Sequence, residues 1–194
     1  MTATVTAHEV EVLLDHLREA VRLGDPAAIT ERIKHDLEMF SCHGVRLPER
    51  FRRPKPDGYS RRLLHRDSDL GFTALIMTWG PGQHTALHDH AGIWCVEGVI
   101  EGEMEVSRYD LTAETAEGIC HFTDQGQVRA SVGSAGSLIP PFEYHVLANA
   151  HPDQLAITLH VYGGEMDHCS VFEPLPGDSP GRYQRQRHPL RYDA

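Results

Sequence analysis

Between residues 61 and 162 the chain breaks into short apolar or alternating runs set off by turn residues, at 61–66, 72–79, 93–99, 103–109, 119–123, 127–131, 136–139, 144–148 and 154–162. Eight or nine strands at such close spacing imply a sandwich or a barrel. Upstream the period changes. From Val10 to Leu23, apolar residues at Val10, Leu13, Leu14, Leu17, Val21 and Leu23 follow the helical repeat, and Gly24 stands where a helix would stop. A second helix is expected over Pro26–Phe40, with Asp25 as N-cap, Pro26 in the first helical position, and Ile29, Ile33, Leu37 and Phe40 as its apolar stripe. The stretch from Pro174 onward, rich in Pro, Gly and Arg, is expected to be irregular or wrapped on the surface. The expectation is one mainly β domain over residues 1–194: N-terminal helices within 1–50, a β-barrel over 58–173 and a tail over 174–194. The helices would pack outside the barrel and cover apolar strand faces.

The 194 residues carry a net charge of −10, and the basic residues are scattered apart from small clusters around Arg52, Arg53 and Lys55 and at the C-terminus. That balance argues against nucleic-acid binding. Met1–His8 lacks the basic start and apolar core of a signal peptide, and no apolar run approaches the ~18 residues of a membrane span. A cytoplasmic monomer is the expectation. The cysteines at 42, 95, 120 and 169 form no CxxC pair, and no structural disulfide is expected of them.

His88-Asp89-His90, followed at Cys95 by a thiol, carries the chemistry. On a strand, residues i and i+2 share a face, so His88 and His90 can reach one metal ion while Asp89 points away. Gly82, five residues, His88, one residue, His90, eleven residues and Gly102 resemble the first motif of the cupin superfamily, with Cys95 where that motif has a metal-binding Glu. Pro140-Pro141-Phe142-Glu143-Tyr144-His145, then three residues and Asn149, resemble the second motif with its usual glycine replaced. The resemblance spans about residues 60–165. It implies a cupin jelly-roll β-barrel and a metal held by His88, His90 and His145. Three imidazoles alone suit Zn, Cu, Fe or Ni.

A wider set of residues resembles the cysteine dioxygenase family of thiol dioxygenases. Cys95 stands five residues after His90, as does a family cysteine that can form a thioether with an active-site tyrosine. Thirteen residues after His145 comes Thr158-Leu159-His160-Val161-Tyr162, similar to the family's Ser-x-His-x-Tyr with Thr in place of Ser. On a strand those three side chains face one way and can form a hydrogen-bonded relay ending at the Tyr162 hydroxyl. Tyr59-Ser60-Arg61 resembles the segment in which a tyrosine precedes, by two positions, the residue that grips the substrate carboxylate, and Arg62 competes with Arg61 for that role. Relatives that prefer 3-mercaptopropionate carry Gln and Gly where this chain has Arg61 and Cys95.

The resemblance implies ferrous iron, Fe(2+), as cofactor and L-cysteine and O2 as substrates. The cysteine carboxylate would rest on Arg61 with Tyr59 beside it, and cysteine sulfinic acid would be the product. Two alternatives stand beside it: 3-mercaptopropionate or a broader thiol set as substrate, and a metal-binding cupin that acts as a sensor or ligand-binding module without catalysis. Cys95 can also be read as a small buried apolar side chain, Trp79 as a wall residue, Cys169 as an incidental thiol, and His65, His84, His121, His151 and His168 as surface or outer-layer residues.

Overall fold

Thr6 and Asp25 start the two helices. Thr6 accepts the Glu9 N–H while the Glu9 carboxylate reaches back to the Thr6 N–H, a capping box that opens α1 at Ala7 and carries it to Val21. The helix therefore begins three residues before the apolar repeat does, and Leu23, expected within it, lies beyond its end and is exposed. Asp25 accepts the Ala28 N–H at 2.9 Å and α2 runs Pro26–Ser41, with Ile29, Ile33 and Leu37 buried as the stripe requires. The structure, a computed structural model, describes residues 4–42, 44–176 and 181–194. Among the described residues no helix is long and apolar enough to cross a membrane.

Eleven strands follow: β1 Ser60–Asp67, β2 Phe72–Trp79, β3 Leu87–His88, β4 Cys95–Glu101, β5 Glu103–Glu114, β6 Ile119–Ser131, β7 Ala135–Leu138, β8 His145–Asn149, β9 Ala156–Tyr162, β10 His168–Pro174 and β11 Arg182–Pro189. They form two sheets. One has the order β1-β2-β9-β4-β7, and the other closes into a ring, β10-β11-β6-β5-β8-β3. Leu13, Leu14 and Leu17 of α1 and Ile33 and Leu37 of α2 share a core with Ile76, Val96, Ile100, Ile157 and Leu159, so the helices cover the outer face of the five-stranded sheet. Each such side chain contributes about 1.5–3 kcal/mol of transfer free energy. Every residue of β2 and β9 is buried, because helices lie on one face of these strands and the barrel interior on the other. Gly98 lets α2 come close: a Cβ there would lie 3.2 Å from Leu37 Cβ.

The tail departs from expectation. Residues 182–189 pair with both β10 and β6 and so close the ring, although Arg-Tyr-Gln-Arg-Gln-Arg-His-Pro shows no apolar alternation. Arg185 reaches Glu114 at 2.9 Å and lies over the Phe172 ring at 5.4 Å, so pairing on both edges and its own cations hold the strand in place of a hydrophobic face. Residues 177–180 of the expected tail lie outside the described residues. The expected strands at 119–123 and 127–131 are one strand, β6, while β3 and β10 had no counterpart among the expected runs.

Candidate metal centre

The histidines converge from the ring sheet. His88 on β3 stands directly opposite His145 on β8, and their Nε2 atoms are 3.2 Å apart. His90 follows β3 in the connection to β4, its ring centroid 5.3 Å from that of His88 and 5.0 Å from that of His145. One ring nitrogen from each lies within 4.8 Å of the other two. The second nitrogen of each ring faces an acceptor: His88 Nδ1 the carbonyl of Ala86 at 3.1 Å, His90 Nδ1 the Glu143 carboxylate at 3.4 Å, and His145 Nδ1 the Glu97 carboxylate at 3.5 Å. That is the outer arrangement metal-binding imidazoles require, since Nδ1–H must go elsewhere when Nε2 ligates. Two nitrogens bound at ~2.1 Å to one ion sit about 3.0–3.4 Å apart, so the His88–His145 separation fits a metal without adjustment. Loss of water around the rings, together with His90, pushes His88 down to about 3, and burial pushes His145 well below its usual range. Both are neutral at pH 7, the form in which an imidazole can ligate a metal.

Asp89 stands outside the group of converging nitrogens. It is 8% exposed, accepts the Ser170 N–H at 2.7 Å and the Ala91 N–H at 3.1 Å, and ties the histidine segment to β10.

The relay residues come from the opposite sheet. Thr158, His160 and Tyr162 alternate along β9, all buried, and face the barrel interior. Thr158 Oγ1 lies 2.7 Å from His160 Nε2 and receives the Trp79 indole N–H at 2.9 Å, while the Tyr162 hydroxyl is 3.3 Å from His160 Nδ1. Cys95 is the cross-strand partner of Tyr162, and both are buried in one cluster. Burial pushes the Cys95 thiol and the Tyr162 phenol well above their usual ranges, so each keeps its proton at neutral pH.

A cavity of 290 Å³ is lined jointly by His88, His90, His145, Tyr162, Arg61 and Tyr59. Arg61 is 4% exposed and donates to the carbonyls of Met166 at 3.0 Å and Arg191 at 3.3 Å. Arg62 points elsewhere, to Ser60 Oγ and the Ala194 carbonyl. Tyr59 stacks on Trp79 with ring centroids 4.5 Å apart. The tail forms part of this wall. His188 and Leu190 line the cavity, and Asp193 takes the Arg61 N–H at 2.8 Å and Lys55 at 2.9 Å. His84 and Cys169 also line the cavity, and burial pushes the Cys169 thiol up to about 11.

Two acids had no role in the sequence reading. Glu143 backs His90, and Glu97 backs His145 with its carboxyl pushed up to about 8 by burial. Glu143 has a sequence signal in standing two residues before His145, whereas Glu97, two residues after Cys95, takes its place only from the strand that lies across from it.

Cysteine dioxygenase type 1 of Danio rerio is 21% identical over 119 residues, and the human protein of that name is 21% identical over 126 residues. In both, the matched region covers 61% of this chain and 58% of the relative, so the chain spans less than two thirds of those relatives' length. Among solved structures, an uncharacterized conserved protein with a double-stranded β-helix domain from Klebsiella pneumoniae is 18% identical with TM-score 0.44, over 61% of this chain and 88% of that one. Oxalate oxidase in complex with the substrate analogue glycolate is 17% identical with TM-score 0.42, over 57% of this chain and 53% of that one. The profile of cysteine dioxygenase type I matches residues 46–174, a span that takes in Tyr59, Arg61, all three converging histidines, Cys95 and the relay on β9, and by that match the chain belongs to the cysteine dioxygenase type I family.

Proposed function

We propose that the protein is a thiol dioxygenase that oxidises L-cysteine with O2 to cysteine sulfinic acid at a ferrous ion held by His88, His90 and His145, acting as a monomer in the cytoplasm. The observation that carries this reading is that a buried guanidinium, three converging imidazoles and a phenol line one cavity. When bound, iron(II) would supply the redox chemistry that joins both oxygen atoms to sulfur. The reaction RSH + O2 → RSO2H balances without an external reductant.

The chain's own groups do the rest. Arg61 has five N–H donors and gives two nitrogens to carbonyls, which leaves donors to grip a carboxylate in parallel and fix the substrate's orientation. Tyr59, held flat against Trp79, sits beside that carboxylate. The Tyr162 phenol holds a proton at its hydroxyl oxygen where the reacting atoms lie, and His160, Thr158 and Trp79 set its direction in sequence. A thioether from Cys95 would hold the phenol in place.

The test is oxygen uptake by anaerobically iron-loaded protein, with L-cysteine and 3-mercaptopropionate in parallel and the products identified by mass. A higher kcat/KM for cysteine with a product two oxygens heavier supports the proposal. Preference for 3-mercaptopropionate overturns the substrate assignment, and no uptake with either thiol overturns the enzyme reading in favour of a binding module.

A further inference from the structure

Among the described residues, Glu97 is the one carboxylate that faces both halves of the site. It stands on β4 two residues after Cys95, and the register sets it directly opposite His160. One carboxylate oxygen lies 3.5 Å from His145 Nδ1 and the other 3.5 Å from His160 Nδ1. Both separations are longer than a formed hydrogen bond. Yet neither His145 Nδ1 nor Glu97 Oε2 has another partner, and buried polar atoms left side by side in this way are complementary to each other. Glu143 makes no such bridge. It serves His90 alone, accepting its backbone N–H at 2.8 Å and facing its Nδ1.

The surrounding hydrogen bonds decide which nitrogens carry hydrogen. Thr158 Oγ1 accepts the Trp79 indole N–H, and with its own hydrogen turned to His160 Nε2 the ring carries its hydrogen on Nδ1, the tautomer on which the inference is built. That hydrogen lies between the Tyr162 oxygen and Glu97. Shared between these two acceptors, it leaves the Tyr162 hydroxyl free to point its own hydrogen into the cavity. On the other side, His145 needs Nδ1–H when Nε2 ligates.

We infer that Glu97 is a positioning residue that accepts Nδ1–H from His145 and Nδ1–H from His160 at once, fixing both tautomers and joining the metal ligand to the relay. The inference rests on the three-histidine metal reading. A carboxylate is required because it offers an acceptor oxygen to each ring. An amide of the same size offers one oxygen and turns an NH2 group against the second N–H. A metal cation on the far side of His145 would supply the counter-charge that a buried carboxylate otherwise lacks.

The experiment compares full-length wild type with Glu97→Gln and Glu97→Leu. Ferrous-ion affinity is measured anaerobically by chelator competition, and the His160 tautomer by 15N NMR of the zinc-loaded protein. The expected result is a loss of about 10- to 100-fold in iron affinity for both variants, with His160 nitrogen shifts moved away from the Nδ1–H form. Wild-type affinity and unchanged shifts in Glu97→Gln overturn the inference, because packing alone tolerates Gln. Glu97→Leu keeps the test open if Glu97→Gln does not fold. Failure of the wild type itself to bind iron or zinc overturns the metal reading, and the inference falls with it.

Discussion

Replacing Arg61 with Ala separates the carboxylate grip from the rest of the chemistry. Arg61 is 4% exposed, and two of its nitrogens are already committed to the carbonyls of Met166 and Arg191, so the guanidinium is held in one place before substrate arrives. Truncating one partner of a buried, hydrogen-bonded charge pair costs about 2–5 kcal/mol, and each ~1.4 kcal/mol is tenfold in rate or affinity. The low end applies here, since Ala opens space into which water can follow the carboxylate. The expected loss in kcat/KM for L-cysteine is therefore about 30- to 300-fold, mostly in KM. For 2-aminoethanethiol, which lacks the carboxylate, the expected loss is within about threefold. Arg61→Lys keeps the charge but not the fork and should fall between. Arg62→Ala should leave the ratio of the two thiols unchanged, because Arg62 bonds to Ser60 and Ala194 away from the cavity. The assay is oxygen uptake with iron occupancy matched between variants. Melting curves run alongside, because orphaning two carbonyls costs about 1–3 kcal/mol of stability. Equal losses for both thiols in Arg61→Ala, or a selective loss in Arg62→Ala, would refute the reasoning.

Three further predictions use other parts of the molecule. Wild-type protein turned over aerobically with iron and cysteine should gain a species lighter by two hydrogens in intact mass, and Cys95→Ser should not; a wild-type mass that never changes would exclude the Cys95–Tyr162 thioether. Gly102 has φ +76°, and a Cβ there would meet the Leu155 carbonyl at 2.7 Å and Ala156 Cα at 2.9 Å; Gly102→Ala should lower the unfolding free energy in urea by at least about 2 kcal/mol, and no measurable change would contradict the turn geometry. The Leu70 N–H, with Arg18 and His65, holds the Asp67 carboxyl down to about 2. A depressed folded value means stabilisation that is full above the ordinary carboxylate range near ~4 and lost as pH falls through about 2. The Tm gap between wild type and Asp67→Asn should accordingly close on acidification through that window, and a gap constant from neutral pH to below it would disprove the linkage.

The relay was legible in the sequence because period-two alternation along one strand puts Thr158, His160 and Tyr162 on one face, and His88 and His90 were legible from their spacing although His90 lies beyond the end of β3 rather than on a shared strand. The helices were legible because their stripes are buried against one sheet. Glu97 was not, since its meaning depends on which strand lies across from it: opposite His160 it joins two histidines, whereas in isolation it is one acid in an apolar run. β11 was hidden for a related reason. Its residues carry no hydrophobic signal, and only the presence of free edges on β10 and β6 makes them a strand. The tail's hold on Arg61 joins residues 132 positions apart, beyond any sequence period.

The pairing of His88 with His145 sets when a metal can be captured. β3 is two residues long, and its partners, β8 and β10, follow far along the chain. No partly folded chain holds the histidines together before those distant closures are made, and closures of that kind are slow. The strands that close are carried by apolar residues such as Leu87, Leu147 and Phe172, whose burial needs no ion. In small zinc domains the metal drives folding. Here the apolar closures need no ion, so on the proposed reading metal-free protein should keep its shape and take up iron afterwards.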